Sequence, residues 1–259
     1  MVGIDAALLE RLKPGPRLRA AGRGLLDILM PPVTLDGGAR PLASGLSDQA
    51  WSRISFLEDP VCDGCGQAFE HDPGVLGHPS CPACQAKPHV FARARAACVY
   101  DDHSRDLILA FKRADRLEHA PLFTRWISRA ATPLIETADA VVPVPLHWSR
   151  LIRRRANQAA EIARPLARAA GRAYLAETLI RTRATPTQGG KSARSRRQNV
   201  KGVFAVPAAR ARDVRGRRIL LVDDVLTTGA TADACARVLL DAGARAVDLA
   251  VIARVRSRQ

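Results

Sequence analysis

The sequence predicts an α/β protein in which a mostly parallel sheet, covered on both faces, follows a small cysteine-built domain. Three observations predict it. From about residue 93 onward, short β-branched runs alternate with amphipathic stretches, the pattern of successive strand–helix–strand units. Upstream, four of the six cysteines stand as two C-x-x-C pairs. Near the C-terminus an apolar run, 219–222, leads straight into two adjacent acids and a small, threonine-rich turn, ILLVDDVLTTGAT over 219–231. The expected division is a cysteine-bearing region over 1–92 and the sheet domain over 93–259.

Residues 1–32 break their apolar positions with charges and prolines and show no secretory core. Residues 25–30, LLDILM, read as a short docking helix. No apolar run approaches the roughly 20 residues that a membrane-spanning helix requires, so the expected location is cytoplasmic. The cysteine pairs, Cys62 with Cys65 and Cys81 with Cys84, are separated by fifteen residues, a spacing that fits a structural zinc ribbon. Each C-x-x-C turn offers two thiolates, and two turns complete a closed tetrahedral site with no position left for chemistry. Disulfides are the weaker alternative in a cytoplasmic chain. His71 and His78 lie between the pairs and read as loop residues, while Cys98 and Cys235 have apolar neighbours and read as small core residues.

In the sheet domain, 94–100 (ARAACVY) reads as a strand and 104–114 as a helix with Ser104 at its N-cap. A second helix follows over 122–131. DAVVPVP, 139–145, is a short buried strand broken by Pro143 and Pro145. Residues 156–171 form a helix stopped at Gly171, 177–184 looks like a strand, and 189–202 is a polar, basic excursion. Strand 217–224, helix 230–243 and strand 246–255 complete the order. Right-handed crossovers would bring the loops after the strands to one edge, where ligands of such sheets bind.

The acids Asp223 and Asp224 admit three readings. As helix caps they stand several residues too early. As the acidic strand of an NTPase they would need a phosphate loop upstream, and TPTQGGKS (185–192) supplies Gly190, Lys191 and Ser192 but places Thr185 where the first glycine belongs. The third reading takes 219–231 as one device. A buried strand delivers two carboxylates to the sheet edge. The turn of Thr227, Thr228, Gly229, Ala230 and Thr231 then opens a helix whose free N–H groups suit a phosphate. Carboxylates beside a phosphate cradle suit the hydroxyls of the sugar that carries it, so the stretch describes a site for a 5-phosphorylated ribose.

That stretch resembles the 5-phosphoribosyl-1-diphosphate (PRPP) signature of type I phosphoribosyltransferases. Together with 141–167 (VVPVPLHWSRLIRRRANQAAEIARPLA), 181–204 (RTRATPTQGGKSARSRRQNVKGVF) and the cysteine pairs, it makes nearly the whole chain similar to the ComF family. These are bacterial proteins associated with DNA uptake in natural competence. The resemblance implies a type I phosphoribosyltransferase-like sheet domain behind a zinc ribbon. It implies that Asp223 and Asp224 hold the ribose hydroxyls as the catalytic pair and that 227–231 hold the 5-phosphate. Leu146 and His147 would face the diphosphate through backbone N–H groups, with Arg153, Arg154 and Arg155 nearby and Lys112 at a matching basic position. Asn157 and Gln158 match the family pair, with Ala156 where an aromatic is common. Gln188, Arg197 and Asn199 match a flap over 183–199. Mg2+ would accompany PRPP. The partners implied are PRPP, single-stranded DNA and a helicase of the competence machinery. No residue names the acceptor.

Two features are this chain's own. Its formal net charge is +15, which favours polyanionic partners, whereas aromatics make up only 4%, which weighs against an extended base-stacking platform. Family members often carry an earlier ribbon, and here Thr34, Gly37, Ser47 and Ala50 occupy its cysteine positions while Trp51 is retained. One zinc site is expected, not two.

Overall fold

The apolar runs of the second half pair side by side because each is long enough to be buried on both faces. The computed structural model describes residues 45–69, 79–112, 116–146, 156–183 and 202–256. Of the positions singled out above, Thr34, Gly37, His71, His78, His147, Arg153, Arg154, Arg155, Gln188, Arg197 and Asn199 lie outside the described residues, as do the docking helix 25–30 and the degenerate phosphate loop. Two compact units divide the chain, 1–51 and 52–259. At the end of the first, Ser47 accepts a hydrogen bond from the Ala50 N–H (3.1 Å) and opens the short helix α1 (Asp48–Ser52). Ser47, at one of the positions where the resemblance led to an expectation of a lost ribbon cysteine, here caps a helix.

In the second unit a short helix α2 (Pro82–Ala86) follows the cysteine loop. The order then runs β1 (Ala94–Val99), α3 (Asp102–Lys112), a 3-10 turn (Leu117–His119), α4 (Ala120–Ala130), α5 (Thr132–Thr137), β2 (Ala140–Pro143), α6 (Gln158–Ala169), β3 (Ala173–Tyr174), β4 (Ile180–Arg181), β5 (Phe204–Ala205), α7 (Ala211–Val214), β6 (Arg218–Leu226), α8 (Ala230–Asp241) and β7 (Ala246–Arg254). Five strands form one sheet in the order β1-β7-β6-β2-β3, every pair parallel. From β2 the chain crosses outward to β3, and from β6 it crosses the other way to β7. The crevice at the C-terminal ends of β2 and β6 is therefore the topological switch point, where open parallel sheets bind ligands.

Alternate strand residues build the two cores. Ala94, Val142, Ile219, Leu221 and Leu249 join Cys235 and Leu239 of α8 and Phe204 of β5 in one buried cluster. The intervening Val141, Leu220, Val222, Ala250 and Ile252 are equally buried, and α4 and α6 pack on their strands. Cys98 and Cys235 are core residues as expected, with burial pushing the Cys98 thiol up to about 12. Gly171 (φ +63°) ends α6 with the Arg172 N–H donating to Ala167 (2.8 Å) and its own N–H donating to Arg168 (3.3 Å), the Schellman arrangement.

Three local expectations change. Asp101, not Ser104, caps α3: its Oδ1 accepts from the N–H groups of His103 and Ser104, and Ser104 Oγ accepts from the Asp101 N–H in return, the reciprocal arrangement of a capping box. Pro143 does not break β2 but is its last residue, opposite Val222. The strand expected over 177–184 shrinks to β4, which leaves the main sheet and pairs antiparallel with β5.

Candidate functional site

The switch-point crevice is built by a mismatch of strand lengths. The β2–β6 ladder ends at Pro143 opposite Val222, and the Val144 N–H adds one last bond to the Val222 carbonyl (2.9 Å). Strand β6 runs on through Leu226, paired only with β7. Asp223 and Asp224 therefore do not terminate their strand, as the sequence suggested. They lie within it, on the segment that overhangs β2 with one edge open.

The acids are not equivalent. The Asp224 N–H donates to Asp223 Oδ1 (2.8 Å). Burial, and next the charge of Asp224, push the Asp223 carboxyl up to about 7, against smaller lowering by Lys112 and Arg181. Asp224 Oδ2 pairs with Lys112 Nζ at 3.2 Å, so the Lys112 singled out from the sequence is brought into the site from the end of α3. Gln158 supports it by donating to the Lys112 carbonyl (3.4 Å). Asn157 caps α6, accepting from the Ala159 N–H (3.1 Å), and donates to the Val144 carbonyl (3.1 Å). The family's Asn-Gln pair thus ties both ends of the loop after β2 together and fixes α3 against α6. Leu146, two residues past Val144, is half-buried at the start of that loop.

Beyond Leu226 the chain turns through Thr227 and Thr228 into Gly229, which adopts φ +75° as the N-cap of α8 without any side-chain cap. Only glycine takes this conformation at little cost. The first N–H groups of α8 have no partner within the helix, and the loop encloses a 20 Å3 cleft bordered by Asp223, Thr228, Gly229 and Thr231. Asp223, the residues of the threonine turn and the N-terminus of α8 border this one cleft. Asp223 and Asp224 lie on β6 ahead of the turn, and neither caps the helix.

A second reason for glycine lies in residues the sequence did not single out. A Cβ on Gly229 would stand 2.4 Å from His89 Cε1 and 2.7 Å from its Nδ1. His89 is held there by Asp233 in the first turns of α8, with Nδ1 3.1 and 3.2 Å from the two carboxylate oxygens, and by stacking on Phe91 (4.4 Å between centroids). Asp233 also accepts from the Val90 N–H (2.8 Å). Arg181 of β4 lies over Phe204 (5.3 Å), and its charge reaches Asp223. Neither His89 nor Arg181 sits in a recognisable pattern, because each meets the loop from a distant part of the chain.

The four cysteines come together as predicted. Their ligand atoms all lie within 4.8 Å of one another, all four are buried, and none is in a disulfide. Cys65 Sγ and Cys81 Sγ are 3.8 Å apart, the edge length of about 3.8 Å that a tetrahedron of ~2.3 Å zinc–sulfur bonds requires. The Cys81 N–H donates to Cys62 Sγ (3.2 Å), the charge-assisted contact a bound thiolate accepts. The hydrogen bond from Cys65 lowers the Cys62 thiol to about 4, whereas burial raises Cys84 to about 12; a divalent cation would relieve this crowding of four thiols. The residues fit a structural zinc ion.

The cluster is fastened to the sheet. The Ala94 N–H donates to the Asp63 carbonyl (2.8 Å), and Arg95 pairs with the Asp63 carboxylate at 2.6 Å. Residues 55–57 run antiparallel along β1, with the Leu57 N–H donating to Ala97 (3.0 Å) and the Val99 N–H to Ser55 (2.9 Å). Among the described residues no helix is long and apolar enough to cross a membrane.

A family model for the phosphoribosyl transferase domain matches residues 115–259. The chain is 34% identical over 209 residues to the DNA utilization protein YhgH of Escherichia coli (strain K12), covering 78% of this chain and 88% of that one. It is 27% identical over 222 residues to competence protein F of Haemophilus influenzae, covering 78% and 93%. Orotate phosphoribosyltransferase from Aeropyrum pernix, a solved structure, covers 63% of this chain and 81% of its own, at 16% identity and a TM-score of 0.33. The parallel sheet is thus a type I phosphoribosyltransferase-like domain preceded by a four-cysteine cluster, and the chain belongs to the ComF/YhgH family.

Proposed function

We propose that the chain binds PRPP at the switch-point crevice and transfers its phosphoribosyl group, in the service of DNA handling. The observation that carries this is the overhang of β6, which presents Asp223 and Asp224 on an open strand edge directly ahead of the glycine-turned helix N-terminus. The 5-phosphate sits on the N–H groups and hydroxyls of 227–231, and the ribose hydroxyls sit on the acids. As the bond from the anomeric carbon to diphosphate breaks, positive charge develops on that carbon, and the fixed acids stabilise it. Lys112 pairs with Asp224 and orients it, while Leu146, His147 and the arginines 153–155 are the groups proposed for the diphosphate. Mg2+, for which carboxylate oxygens are suitable donors, would neutralise the diphosphate when bound.

Calorimetry with PRPP and Mg2+ tests the binding. The expected result is saturable binding by the wild type and a loss of at least about 100-fold, roughly 2.7 kcal/mol, in the Asp223→Asn/Asp224→Asn variant at unchanged circular dichroism. Equal affinity of the two proteins would refute the assignment. Diphosphate release across a panel of purine and pyrimidine bases then tests transfer.

A second reading is a single-stranded-DNA-binding factor for which PRPP is a regulator rather than a substrate. The net charge of +15 and the names of the relatives favour it. PRPP binding with no diphosphate release on any acceptor is the outcome that would select it.

A further inference from the structure

The loop 227–231 is braced by a side chain that does not enter its cleft. Neither His89 nor Asp233 lines the space bordered by Asp223, Thr228 and Thr231. Both meet the loop instead at Gly229, where a Cβ would stand 2.4 Å from the His89 ring. Asp233 is the acid in the first turn of α8, and its N–H donates to the Gly229 carbonyl (2.8 Å). A carboxylate in a first turn adds negative charge close to the N–H groups that a phosphate needs. Here that carboxylate accepts from the Val90 N–H (2.8 Å) and lies 3.1 and 3.2 Å from His89 Nδ1, which is the donor because carboxylate oxygens face it. Residues 89 and 90 therefore confine the backbone of Gly229 and engage the charge that would compete with a phosphate.

His89 is itself held from two sides. Downstream, Phe91 is buried under its ring, and the Ala92 N–H donates to the Val247 carbonyl of β7 (2.8 Å). Upstream, α2 ends three residues before it and carries Cys84. The two cysteine turns are anchored unequally. The first is tied to the sheet by the Ala94 N–H on the Asp63 carbonyl and by Arg95 on the Asp63 carboxylate. The second is α2, whose five residues are too few for a helix to be stable alone. Its start is joined to the first turn by the Asp63 N–H on Pro79 (2.8 Å) and by the Cys81 N–H on Cys62 Sγ (3.2 Å). Its middle packs through sulfur, since a Cβ on Gly64 would stand 3.2 Å from Cys84 Sγ. A metal on the four thiolates would fix α2 to the anchored turn, and α2 leads directly into His89.

We propose that His89 is a positioning residue for the phosphate loop and links that loop to the cysteine cluster, so that metal on the thiolates and a phosphate ester on the loop favour each other. The ligand end of this link rests on the phosphoribosyl reading, whereas the link itself does not. By reciprocity, the factor by which zinc raises PRPP affinity equals the factor by which PRPP raises zinc affinity.

Two measurements on the full chain test it. In calorimetry with PRPP and Mg2+, zinc-loaded His89→Ala should bind at least about fivefold more weakly than the wild type, the low end of ordinary coupling between sites. His89→Asn, which keeps a donor near the Nδ1 position, should recover most of that loss. Equal PRPP affinity in the wild type and His89→Ala would overturn the positioning role. Zinc affinity, read by competition with a chromogenic chelator, needs no PRPP. Gly229→Ala presses a Cβ onto the ring and should weaken zinc binding by at least about fivefold. In the His89→Ala background the same substitution should leave zinc affinity unchanged. An equal loss of zinc in both backgrounds would trace it to general destabilisation and overturn the link, as would no loss in either. If the wild type binds no PRPP while the zinc cycle holds, the phosphoribosyl reading falls and the link stands.

Discussion

At the scale of single residues, Gly229 carries two demands at once. Its φ of +75° is one that a residue with a Cβ adopts at a cost of about 1–2 kcal/mol. The pinned His89 ring also leaves no room for that Cβ. Because His89 is fixed by Asp233 and Phe91, it cannot swing away without losing a hydrogen bond worth about 1 kcal/mol. Gly229→Ala should therefore lower stability in urea by about 2–3 kcal/mol. His89→Ala should cost at least about 1 kcal/mol less in that background than in the wild type. Strict additivity in this double-mutant cycle would show that the ring is free to step aside and that backbone conformation alone selects glycine.

At the scale of elements, the cysteine cluster and the phosphate loop are one mechanical unit. The turn at Cys81 and Cys84 opens α2, whose end is fixed by the Lys87 N–H on Ala83 (3.0 Å). Two residues later His89 grips Asp233. Small cysteine-built segments owe their order to the ion, so chelation should loosen the loop as well as the cluster. Hydrogen exchange over 229–234 should accelerate when zinc is stripped, and it should accelerate similarly in His89→Ala with zinc still bound. An exchange pattern unchanged by stripping would mean that the loop holds itself.

This coupling also marks where reading the sequence stops. Strands β6 and β7, helix α8, the four-cysteine cluster and the acid–loop device were legible because each is written in contiguous residues with a period or spacing of its own. The two-residue strands β3 and β5 were not, and β4 was read too long, since partners supply their conformation and so short a run has no pattern. The cap of α3 was misplaced by three residues because Asp101 and Ser104 are both good caps and only the fold shows which carbonyl the serine also reaches. His89 and Asp233 stand 144 residues apart, and nothing local in either announces the other.

At the scale of the whole molecule, the parallel sheet separates its tasks by edge. Its C-terminal edge carries Asp224, the loop 227–231 and Asp223, whose carboxyl is raised toward neutrality, an arrangement unfavourable to the fold and suited to the proposed ligand. At the N-terminal edge the fully buried Asp248 of β7 holds Arg93, which precedes β1, and Arg218, the first residue of β6, each at 2.9 Å. That triad locks the three strands β1, β7 and β6 in register far from the crevice. Removing the shared carboxylate leaves two guanidinium groups facing each other without compensation, a loss typical of broken buried pairs at about 3–5 kcal/mol. Asp248→Ala should therefore lower the urea midpoint sharply while the protein that remains folded binds PRPP with wild-type affinity. Asp224→Asn should do the reverse. It breaks only a partly exposed pair with Lys112, worth under about 1 kcal/mol, yet it removes a proposed ribose contact. If Asp248→Ala weakened PRPP binding in proportion to its loss of stability, the two edges would be energetically continuous, and the crevice would owe its geometry to the far side of the sheet.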